Sequence, residues 1–78
     1  MTIDPRGLTV TDWCDSMSFV LESVMTPQKL LDPTKWRDWA RSVIQSPMLA
    51  KFNPPDPTDF ENWEGWAFRF NQAVETIL

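Results

Sequence analysis

A chain of 78 residues with one cysteine and no histidine can form neither an intrachain disulfide nor a zinc site, two of the staples that chains this short ordinarily need. Its net charge of −4, from 7 basic and 11 acidic residues, argues against a nucleic-acid binder, which requires clustered Lys and Arg to neutralise phosphates. Of the usual staples, a partner subunit is left.

The seven bases are scattered along the chain, most with an acid nearby. MTIDPRG lacks the basic start and apolar run of a signal peptide, and no stretch reaches the length of a membrane span. A lone cysteine fits a reducing compartment. Five Trp and five Phe without a single Tyr supply aromatic area suited to either a core or an interface.

In chain order, residues 1–10 read as an extended arm, with Asp4-Pro5 and Gly7 marking turns. A first helix is expected from Thr11, as N-cap, to Met25, with Trp13, Met17, Val20 and Val24 on one face. Phe19 falls off that face. Thr26-Pro27 reads as a cap and restart, followed by a short turn through Leu30 and Leu31. Asp32-Pro33 opens a second helix over about Pro33–Gln45, with Trp36, Trp39, Ala40, Val43 and Ile44 as its apolar side. Ser46-Pro47 begins a further turn through Met48, Leu49 and Phe52; residues 11–52 thus form a helical hairpin region.

Asn53-Pro54-Pro55-Asp56-Pro57 forbids helix and favours polyproline II. It serves as a stiff connector or as a docking strip for an aromatic groove. Thr58-Asp59-Phe60-Glu61 then reads as a capping box for a C-terminal helix over residues 58–78. Phe60, Trp63, Ala67, Phe70, Val74 and Ile77 form a heptad-like seam along it, too short to stand without other helices. Trp66 lies beside this seam, Phe68 well off it and Gly65 opposite. A weak internal echo links Asp32-Pro33-Thr34 with Trp36-x-x-Trp39-Ala40, and Asp56-Pro57-Thr58 with Trp63-x-x-Trp66-Ala67.

No constellation suggests catalysis. With no histidine the commonest general base is missing, the serines have no evident activating partner, and two glycines cannot build a phosphate loop. Asp12 with Asp15, and Glu61 with Glu64, are explained by the positive ends of helix dipoles. Cys14 beside Trp13 reads as a small core hydrophobe. No catalytic, cofactor-binding or metal-ligating residue is therefore expected, nor any cofactor. Outward aromatics make a patch that a free monomer avoids, and Trp36, Trp39, Trp66, Phe68 and Phe19 are the candidates for contact with a partner.

The run from Asn53-Pro54-Pro55 through Asp59-Phe60-Glu61-Asn62-Trp63-Glu64-Gly65-Trp66-Ala67-Phe68-Arg69-Phe70 to Asn71-Gln72-Ala73 resembles segments of small virion proteins of tailed bacteriophages. The resemblance implies a structural part of a capsid, neck or tail, placed in the virion and in the host cytoplasm during assembly. Its partners would be other virion structural proteins, in a homo- or hetero-oligomeric assembly without nucleic acid or membrane. A small acidic phage-encoded inhibitor of a host protein is the alternative. The expected fold is all-α, with three main helices joined by proline-capped turns.

Overall fold

The computed structural model describes residues 4–22 and 25–75. At its start Leu8 donates its N–H to the Pro5 carbonyl at 3.2 Å. Gly7, with φ 84°, takes the left-handed value that the third position of such a turn requires. Arg6 folds back on Asp4, its Nη2 donating to Oδ2 at 2.7 Å, and these bonds hold the exposed Asp4 carboxyl at about 2. Pro5 is fully buried. The expected extended arm is thus, from residue 4 onward, a turn anchored by its proline.

Helix α1 spans Val10–Leu21. Its N-cap is Thr9, not Thr11: Thr9 has extended backbone angles, and its Oγ1 accepts the Asp12 N–H at 3.1 Å. Capping two residues earlier places Asp12 in the first turn, where its charge suits the dipole. Val10, Trp13, Cys14, Met17 and Leu21 are buried and Val20 is half-buried, whereas Val24 lies outside the described residues.

Thr26-Pro27 starts no helical turn; residues 25–32 run without regular structure. Backbone groups here bond to the rest of the fold instead: the Gln28 carbonyl accepts the Trp39 indole N–H at 2.6 Å, while Leu30 enters the core. At Asp32-Pro33 the expected cap forms. The Asp32 carboxylate accepts from the Thr34 N–H at 3.0 Å and hydroxyl at 2.8 Å, opening a 3-10 turn over Pro33–Lys35. Helix α2, Trp36–Ile44, follows directly, then the single turn α3, Pro47–Ala50. Ser46 holds α3 through its carbonyl, which accepts from Leu49 and Ala50.

The expected capping box does not form. Asp56 takes the cap role, accepting from the Thr58 N–H at 2.9 Å and hydroxyl at 2.8 Å, and Pro57–Asp59 closes as a 3-10 turn. Phe60 is then extended, φ −120° and ψ 136°, which no helix can continue through. Helix α4, Trp63–Glu75, begins later, with Asn62 Oδ1 accepting the Gly65 N–H at 3.0 Å as an N-cap does. The half-buried Phe60 ring lies over this first turn. A Cβ on Gly65 would come to 3.3 Å from Phe60 Cδ1, so the ring packs closely against the backbone there. Arg37 ties the segment to α2. Its Nη2 donates to the Phe60 and Glu61 carbonyls at 2.7 and 3.1 Å, and its guanidinium lies 4.6 Å over the Trp36 ring.

The architecture is all-α: among the described residues three main helices, one short one and two 3-10 turns pack around one core. All five Trp and Phe70 meet in it. Trp13 packs edge-on against Trp39, Trp66 and Phe70 at 6.0, 5.8 and 6.2 Å, and tilted against Trp63 at 6.1 Å. Trp66 stacks on Phe70 at 4.8 Å and touches Trp36 and Trp39. Trp66 is 1% exposed, whereas Trp63 is only half-buried. The seam of α4 therefore runs through Trp66, Ala67, Phe70 and Val74. Phe60 precedes the helix and Ile77 lies outside the described residues.

The surface measures 4870 Å², against about 4,900 Å² for a folded monomer of this mass. The radius of gyration is 11.1 Å, against about 11.5 Å for a globular chain of this length. These values describe a closed core rather than half of one.

Two outcomes follow from this packing. Trp66→Ala removes the ring shared by four aromatic neighbours and is expected to cost about 3–5 kcal/mol in chemical denaturation, more than Trp63→Ala. Second, Asp32 is held below the ordinary carboxylate range by the Thr34 hydroxyl and N–H, and Asp56 by the Thr58 N–H and hydroxyl. Their folded pKa values lie below the unfolded ones, so this stabilisation is present above an unfolded pKa of about 3.9. It is lost as pH falls through the folded values. Replacing both with Asn, which caps without titrating, is expected to flatten the acid limb of stability measured by urea midpoints between about pH 5 and pH 2.

Candidate interaction surface

The five aromatic candidates divide sharply. Trp36, Trp39 and Trp66 are buried in the domain's own core, so none of the three presents a face to a partner. For Trp39 and Trp66, the second Trp of α2 and of α4, the indole N–H also reaches a carbonyl. Trp39 Nε1 donates to Gln28 O at 2.6 Å and Trp66 Nε1 to Pro55 O at 2.8 Å, each acceptor 11 residues upstream. A buried ring with its polar handle satisfied is stable there. This bond ties the Pro54-Pro55 segment to the core through the Pro55 carbonyl.

Phe19, on α1, is 76% exposed, and Phe68, on α4, is 50% exposed. Both lie off their helices' buried faces, as their register predicts. Around Phe19 the outward face of α1 carries Asp12, Asp15 and Ser16, with Glu22 at its end, all exposed. The helix has no base. Glu22 sits at the negative end of the dipole, where an acid is locally unfavourable. Phe68 borders an open cleft of about 320 Å³ between α4 and the N-terminal turn, walled by Asp4, Pro5, Asn71, Gln72 and Glu75.

Sequence reasoning missed Leu31, which is 85% exposed beside the buried Leu30. In an irregular segment no period distinguishes the inward leucine from the outward one. Leu31 borders a second cleft of about 220 Å³, walled also by Leu30 and Trp39 and by two bases, Lys29 and Lys35, and two acids, Asp32 and Asp38. The bases are less dispersed than their spacing implies. Five of the seven lie in residues 29–51, against two acids, so that this stretch is basic between two acidic ones. Among the described residues only Arg6–Asp4 and Arg41–Asp38 form ion pairs, both exposed and individually weak.

Cys14 is buried. Desolvation pushes its thiol up to about 12, with the Asp15 carboxylate adding to the shift. Among the described residues no group of three acidic, cysteine or histidine side chains converges on a point that a metal could occupy, and no helix is long and apolar enough to cross a membrane. Comparison with protein-family models, curated proteins and solved structures gives no match for this chain.

The Cys14 environment is directly testable. At about pH 8 the thiol stays protonated and enclosed, so a soluble disulfide reagent is expected to modify it slowly in the folded chain and rapidly in denaturant. Equal rates in the two states would contradict the burial.

Proposed function

We propose that the chain is a non-enzymatic structural and interaction protein, a small component of a bacteriophage virion. In this reading it packs the aromatic faces of α1 and α4 against larger subunits of the capsid, neck or tail. The observation that carries the interaction role is Phe19 and Phe68 left outside a core that is already closed. Rings left outside a closed core are apolar area that a complex removes from water. The likeness of residues 53–73 to small virion proteins supports the particle as the setting. No cofactor, nucleic acid or membrane enters this role, and the chain would reside in the virion and, during assembly, in the host cytoplasm.

A soluble inhibitor of a host protein is the second reading, favoured by the acidity of the chain, −4 overall. Mass spectrometry of purified particles separates the two. The structural role requires the chain in the particle at stoichiometric copy number; its absence from particles, with a host enzyme bound instead, supports the inhibitor. Phe68→Ala is expected to change stability by no more than about 0.5 kcal/mol, read by denaturation, and yet to lower incorporation. A folded Phe68→Ala chain that enters particles normally would place the contact elsewhere on the surface.

A further inference from the structure

Phe19 and Leu31, the two most exposed large apolar side chains, differ in their surroundings. The cleft at Leu31 carries two bases and two acids, whereas the outward face of α1 carries acids alone. Asp12, Asp15, Phe19 and Glu22 follow one another at three, four and three residues. Glu22 is the C-cap and keeps helical angles, φ −55° and ψ −28°, so the register holds to the end of the helix. At about 100° per residue the four fall within an arc of about 80°. All four are exposed, and among the described residues none of the three carboxylates has an ion-pair partner.

The helix itself accounts for only part of this face. Asp12 suits the positive end of the dipole, but Glu22 sits at the negative end, where an acid is unfavourable. Asp12 and Asp15, three residues apart, repel each other. Bases brought from outside reverse the sign of both terms, and an apolar side chain laid on Phe19 removes its ring from water. The three–four–three spacing is also that by which one helix packs along another. Charge, apolar centre and spacing thus specify the same kind of partner.

We infer that this face of α1 docks a basic amphipathic helix of a larger subunit, with an apolar side chain against Phe19 and lysines or arginines against Asp15 and Glu22. The inference rests on the reading of the chain as an interaction protein and adds the chemistry of the surface that it meets.

The probe is a labelled helical peptide of leucine and lysine, titrated with the full chain up to about 1 mM and followed by fluorescence anisotropy. Wild type is expected to bind it, more weakly as salt rises from about 50 to about 300 mM, and not to bind a counterpart with glutamate in place of lysine. Phe19→Ser and Glu22→Lys, both at exposed positions, are each expected to weaken binding at least about tenfold with unchanged circular dichroism. Phe68→Ser is expected to bind as wild type does. The inference is overturned if the leucine–lysine peptide does not bind, if Phe19→Ser or Glu22→Lys binds it as wild type does, or if Phe68→Ser loses as much affinity as Phe19→Ser. The presence of the chain in purified particles is a separate measurement: a chain found there that fails to bind the peptide keeps its structural role and loses this docking face.

Discussion

The structure depends on an aromatic core in which Trp66 and Trp13 each pack against four other rings, and Trp66 adds a bond to the backbone. Its ring is shared by Trp13, Trp36, Trp39 and Phe70, which come from α1, α2 and α4 itself. Its indole N–H holds the Pro55 carbonyl. A ring this large buries substantial apolar area only if every neighbouring helix accepts its outline. The N–H must also find an acceptor, since an unbonded buried donor costs about 1–3 kcal/mol. One side chain thereby specifies the packing of three helices and the path of the proline-rich segment between two of them.

The same device occurs twice. Trp39 and Trp66, with the buried alanines Ala40 and Ala67 after them, each draw in a carbonyl that follows a proline, Gln28 after Pro27 and Pro55 after Pro54. Each helix is also preceded by an Asp-Pro-Thr 3-10 turn with the same pair of bonds to the aspartate. Irregular backbone near a core needs partners for its polar groups, and indole donors supply them at two points where prolines rule out a ladder. The echo in the sequence is therefore an echo in structure, whether or not the two halves share an origin.

Local signals carried the reading of the fold a long way. Asp32-Pro33 and the apolar sides of α1 and α2 are legible because a cap and a helical period are contained within a few turns. Thr9 and the start of α4 were not, because each involves a choice between adjacent capping residues that the preceding backbone decides. At α4 the error propagated: counting Phe60 into the helix put Trp63 rather than Trp66 at the deepest position. Phe19 and Phe68 could be found outside the core from their register alone. The apolar side of α2 included Trp36 and Trp39, but the deep burial of Trp66 did not follow from the expected seam, and the Gln28 and Pro55 carbonyls that accept from Trp39 and Trp66 come within reach only in the folded chain.

The clustering of the tryptophans has an optical consequence. With no Tyr in the chain, its near-ultraviolet absorption is almost wholly indole, and ring centres lie only 5.8–6.4 Å apart between Trp13, Trp36, Trp39, Trp63 and Trp66. At such separations the transition dipoles couple, and excitation migrates among the rings before it is emitted. The chain therefore has a collective chromophore in place of five independent ones. Replacing a single tryptophan alters the spectrum of the rest, and the emission of the native state cannot be divided into residue contributions by subtraction.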